Sequence, residues 1–116
     1  MAVYFILQFH PRDKQDAVLK KWLIQEGKET GPDMPLLSYE DGGGERRYCP
    51  PVVGVYKVHL FKEGDTMSDG SEIAVLSLDE SVAQKAVKDG HGKILTPEEL
   101  DETLAHAGAA SIRQPD

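Results

Sequence analysis

Residues 3–10 alternate, with Val3, Phe5, Leu7 and Phe9 on one face and Tyr4, Ile6, Gln8 and His10 on the other. The spacing predicts a strand, apolar on both faces until its end and therefore central in a sheet. Pro11 breaks it. Residues 12–27 then place Val18, Leu19, Trp22 and Leu23 at helical spacing, with acidic residues early and Gly27 just past Glu26, and this pattern predicts a helix.

From 28 to 51 the periodicity fails. Gly31-Pro32, Pro35, the triplet Gly42-Gly43-Gly44 and Pro50-Pro51 interrupt any regular element except a short strand over 36–39, so the segment reads as a long irregular insertion. Residues 52–61 predict a strand in which Tyr56, Val58 and Leu60 alternate with Lys57 and His59, leaving one wet face. A polar connector with Asp69-Gly70 as its turn leads to a further strand over 72–78, antiparallel to the last.

A helix follows, capped by Ser77 or Asp79, packing Val82, Ala83, Ala86 and Val87, and closed by Gly90. After a short extended piece at 93–95, Thr96 as N-cap, Pro97 in the first turn and Glu99 three residues after the cap mark a last helix, with Leu100 and Leu104 as its buried stripe. The order strand, helix, strand, strand, helix, strand matches the split βαβ plan of an α+β, ferredoxin-like fold, with an added C-terminal helix and a long loop before the second main strand. Residues 1–108 form the expected domain, 28–51 its insertion loop and 109–116 a flexible tail.

Composition fits such a domain: 116 residues, 40% hydrophobic and 28% charged, need no staple to bury a core. One cysteine excludes an internal disulfide. The N-terminus lacks the basic and small-residue features of an export signal, and no apolar run is long enough to span a bilayer, so the expectation is a cytoplasmic, non-membrane protein.

The net charge of -7 changes the picture further. Residues 61–116 carry five Lys/Arg against twelve Asp/Glu, which argues against direct nucleic-acid binding and for solubility or a basic partner. Glu98, Glu99, Asp101 and Glu102 suit the positive end of the last helix and, with Asp79, Glu80 and Asp89, offer an acidic docking face.

Candidate chemistry is sparse. The stretch "DGGGERRYCPP" is neither a Walker A loop nor a dinucleotide fingerprint, although Arg46 and Arg47 can grip a carboxylate or phosphate. Cys49 is a candidate nucleophile only if a cation or histidine lowers its thiol pKa. Asp65, Asp69 and Gly70 resemble half of a calcium loop, but Met67 and Leu76 occupy two ligand positions. No histidine pair has metal spacing, and neither a metal nor a cofactor is expected.

Two functions follow. The first is a small acidic protein-binding domain with a regulatory, inhibitory or accessory role, docking a basic or nucleic-acid-binding protein. The second is a small dimeric enzyme or ligand-binding protein whose sheet-face pocket uses His10, His59 and Tyr4 as its acid–base group.

Overall fold

The segment expected to form the first helix is a strand. In the computed structural model, which describes residues 2–11 and 14–107 apart from the side chains of Leu104, His106 and Ala107, strand β1 (Ala2–Gln8) is followed by strand β2 (Ala17–Trp22). Ala17 and Leu19 point inward while Val18 and Lys20 stay exposed. The ladder then slips between Leu19 and Lys21, and this bulge turns Trp22 inward as well. An inward pair three residues apart imitates helical spacing although its cause is one extra residue in a ladder.

The supposed insertion loop holds, besides the strand expected over 36–39, here β4 (Leu37–Glu40), two that the pattern does not predict, β3 (Glu29–Thr30) and β5 (Glu45–Tyr48). Its prolines and glycines divide it into pieces of two to four residues, too short for periodicity to register. Strand β6 (Gly54–His59), the two-residue β7 (Thr66–Met67), β8 (Glu72–Asp79), helix α1 (Glu80–Lys88), β9 (Gly92–Leu95) and helix α2 (Pro97–Ala107) complete the order. The two sheets are antiparallel, one of five strands ordered β3-β6-β8-β1-β9 and one of four ordered β5-β4-β2-β7.

The ferredoxin-like expectation is therefore wrong: the fold is mostly β, two sheets with two short helices. Phe5, Leu7, Phe9, Leu19, Leu37, Tyr39, Tyr56, Leu76 and Leu78 join in one cluster drawn from both sheets. Among the described residues one helix, α1, runs between consecutive strands, so the single sheet covered by two crossover helices does not form.

The ladders repeat. Val18↔Glu40, Leu19↔Tyr39, Lys21↔Ser38 and Trp22↔Leu37 in β2–β4 recur 37 positions later as Val55↔Ser77, Tyr56↔Leu76, Val58↔Val75 and His59↔Ala74 in β6–β8, with the same slip. Ala17↔Met67 likewise recurs as Gly54↔Thr30. Each half reaches into the other: Gly27 N–H donates to Tyr56 C=O at 2.8 Å and Gly64 N–H to Leu19 C=O at 2.7 Å. Both glycines have positive φ, +85° and +96°. The molecule is thus two interlocked β units related by a pseudo-two-fold. In this relation β5 is the equivalent of β1, since both flank the outer side of their hairpin partner, β4 and β8, in the same register.

The helices finish one end. Asp79 caps α1, its carboxylate accepting from Ser81 N–H at 3.2 Å and Ser81 Oγ at 2.6 Å. Ala83 and Ala86 face the core, but Val82 and Val87, also expected inside, are exposed, because this short helix buries only a narrow stripe. Thr96 and Glu99 form the expected reciprocal box on α2, with bonds of 3.0 and 3.1 Å. Leu100 packs on the outer face of the five-stranded sheet against Ile6, Val58, Val75 and Leu95. The Leu104 contact and the tail fall outside the described residues. Among the described residues no helix is long and apolar enough to cross a membrane.

Candidate functional site

Asp41 to Gly44 form the tip of the β4–β5 hairpin, whose second strand leads through Pro50 and Pro51 into β6. Gly42 and Gly44 adopt φ of +93° and +113°, so the glycines are required by the turn. Asp41 Oδ1 accepts from Gly43 N–H at 3.1 Å, and the Arg46 guanidinium lies 3.2 Å from Oδ2. The Gly43 N–H, then the Arg46 charge, hold the Asp41 carboxyl below its ordinary range against partial burial. Arg46 is therefore spent within its own hairpin.

Arg47 is different. It is exposed and makes no ion pair among the described residues. Its register partner is Ser38, whose other partner is Lys21, so the three share a row on the outer face of the four-stranded sheet. Ser38 is only 3% exposed, and its hydroxyl has no hydrogen-bond partner among the described residues. The hydroxyl is covered, so what this row offers an incoming anion is the two exposed cations that flank it, Lys21 and Arg47. The sequence marked Arg47 through its neighbour Arg46, but Ser38 and Lys21 join it only through cross-strand register.

The histidines lie apart. His10 Nδ1 is 3.0 Å from Asp69 Oδ1 and its Nε2 is 3.1 Å from Gln8 Oε1. The same side chain lines an open recess with Pro11, Lys14, Asp69, Asp89, Gly90 and His91. Tyr48 donates to Gln8 C=O and accepts from His10 N–H, both at 3.3 Å, and burial raises its phenol above the ordinary value. Neither His59 nor Tyr4 lines this recess.

His59 belongs instead to an aromatic cluster where the halves meet. Its Nδ1 lies 2.8 Å from Tyr56 Oη, and its ring is 5.2 Å from Trp22, its equivalent in the other half. Trp22 stacks on Tyr56 at 5.6 Å and donates Nε1–H to Phe61 C=O at 3.0 Å. Partial burial lowers the His59 pKa, against the opposing pull of Glu26 and Glu63, while burial raises the Tyr56 phenol strongly. Tyr4 sits exposed on β1 between Ser77 and Leu95. The three side chains of the expected acid–base group thus occupy three separate surroundings.

Cys49 follows β5, half-buried and free of any disulfide. Asp65 accepts from Lys62 N–H within its turn, and among the described residues no group of three or more His, Cys, Asp or Glu is placed to hold a metal. On the helical end, Glu99 is engaged by Thr96, which lowers its carboxyl pKa, and Asp89 pairs with Lys85 at 3.1 Å. Glu98, Asp101 and Glu102 are exposed on α2.

No family model and no solved structure matches the chain. Part of it is similar to a probable dihydrolipoyllysine-residue succinyltransferase component of the 2-oxoglutarate dehydrogenase complex, mitochondrial, from Schizosaccharomyces pombe, 33% identical over 66 residues. That stretch is 57% of this chain and 15% of the relative, so the likeness is to one small segment of a much longer protein.

Proposed function

We propose that the chain is a small protein-docking domain with an accessory role in an acyl-transfer assembly of the kind to which its relative belongs. The observation that carries this reading is charge segregated over a pseudo-symmetric frame. One outer sheet face is closed by α2, which shows Glu98, Asp101 and Glu102 to solvent, whereas the other presents Lys21 and Arg47 around Ser38. Complementary charge of this kind steers association and sets orientation more than it adds affinity. A cytoplasmic setting, expected from the N-terminus and the single cysteine, is part of the proposal for this chain, although the relative is named mitochondrial.

Surface-plasmon resonance with the purified 2-oxoglutarate dehydrogenase complex flowed over the immobilised chain tests it. The expected result is saturable binding whose association rate falls about tenfold or more between low and high salt. Neutralising Glu98, Asp101 and Glu102 together is expected to slow association several-fold with little change in dissociation. Absence of binding, or binding indifferent to salt and to the triple substitution, would reject the proposal.

The relative's name supports a second reading, in which a lysine of this chain carries a lipoyl group. Intact-mass measurement after expression with lipoate separates the readings: a lipoyl adduct mapped to a lysine favours the carrier.

A further inference from the structure

Strand β5 is an open edge. Among the described residues it pairs with β4 alone, whereas its equivalent β1 is covered on the far side by β9. In β1, Gln8 N–H donates to His91 C=O at 2.9 Å, and strand alternation turns the peptide groups of Ile6 and Tyr4 the same way, toward β9. In β5, Tyr48 C=O accepts from Leu36 N–H at 2.7 Å, so Tyr48 and Arg46 bond inward. The peptide groups of Arg47 and Glu45 consequently face outward, and both residues are exposed.

An edge strand with unpaired peptide groups is a template for another strand. Its side chains select which one. Glu45 and Arg47 are two apart and share the outer face. When a second β5 runs antiparallel to the first with the two-fold axis at Arg46, Glu45 of each copy stands opposite Arg47 of the other, and each such pair is bonded through its outward peptide groups. The alternative registers fail on charge: centring on Arg47 opposes two arginines, and centring on Glu45 opposes two glutamates. In the favoured register Tyr48 and Cys49 lie opposite Gly44 and Gly43 of the copy, which present no side chain. Arg46 meets its own copy on the axis, but each Arg46 is neutralised by Asp41 within its hairpin.

We propose that the chain self-associates through its β5 edges, joining two four-stranded sheets into one of eight, with paired Glu45–Arg47 contacts setting the register. The contact is four residues long, below the size of a standard interface, so the dimer is weak and concentration-dependent. It shares Arg47 with the cationic face of the docking proposal but not the α2 carboxylates, so the triple substitution on α2 and the Glu45/Arg47 exchange can fail independently.

Analytical ultracentrifugation of the full chain over a concentration series tests this. The weight-average mass is expected to rise toward twice that of the monomer. Arg47→Glu and Glu45→Arg are each expected to weaken association about tenfold or more, and the double exchange to restore it. A second readout does not depend on those variants: in a Cys49→Ser background, Arg46→Cys is expected to cross-link under oxidation, because facing non-hydrogen-bonded residues lie about 4.5 Å apart at Cα. A monomer at all concentrations, a double exchange no better than either single one, or no cross-link would overturn the proposal.

Discussion

The outer face of the five-stranded sheet carries Ile6, Val75 and Val58 in one row, and the equivalent row of the four-stranded sheet carries Arg47, Ser38 and Lys21. Backbone register is the same in both. On the first row Leu100 of α2 packs from outside and β9 seals the edge; on the second the edge is open and the flanking side chains are cationic. One unit has been made into a second layer of core, and its twin has been left as surface. Function belongs with the difference, since the shared frame is satisfied equally in both halves.

The largest test of this contrast exchanges the central residues. Val75→Ser is expected to cost about 3 kcal/mol in chemical denaturation, from lost apolar burial plus a buried hydroxyl. Ser38→Val is expected to be neutral or to stabilise by up to about 1 kcal/mol, since it removes a buried hydroxyl with no partner. Equal losses at both positions would remove the contrast.

Next comes the pair Gly54 and Ala17. A Cβ on Gly54 would collide with Leu78 and lie 2.9 Å from Ser77 C=O, whereas Ala17 already has one. Gly54→Ala is expected to lower stability by about 1–3 kcal/mol, and Ala17→Gly by about 1 kcal/mol or less. A smaller, symmetric effect is expected at Gly27 and Gly64. Each has positive φ and open space for a methyl group, so alanine at either position is expected to cost about 1 kcal/mol, with the two thermal shifts alike.

The smallest effect is on pH. His59 stands where the other half has Trp22, and burial holds its folded pKa below the unfolded value. The unfolded chain then binds the proton more readily, so stability is full above the unfolded histidine pKa, about 6.5, and declines as pH falls toward the folded value. His59→Phe is expected to flatten this part of the stability profile, measured as the denaturant midpoint against pH.

Elements governed by local chemistry were legible in the chain. The Thr96–Glu99 box, the Asp79 cap, the alternation in β1 and β6 and the apolar run of β8 behind its polar connector rest on neighbours within a few residues. What escaped depends on partners far away. The bulge after Leu19 gave β2 a helical spacing, and β3, β5 and β7 are too short to show a period. The repeat left a weak trace: Val18, Lys20, Leu23, Glu26 and Gly27 recur as Val55, Lys57, Leu60, Glu63 and Gly64. Arg46 and Arg47 stood out as cations of unknown partner; the fold ties the first to Asp41 and leaves the second facing solvent. Ser38 and Lys21 carry no local mark and join that row only when β2, β4 and β5 pair.

Amide hydrogen exchange, resolved by residue in dilute and in concentrated solution, tests the central contrast most directly. In dilute solution Ile6, bonded toward β9, is expected to be protected strongly, and its equivalent Arg47 to exchange at close to the unprotected rate. Raising the concentration is expected to protect Glu45 and Arg47 while leaving Ile6 unchanged. Arg47 as protected as Ile6 in the dilute chain would contradict the account, because both edges would then be covered and the two halves would be finished alike.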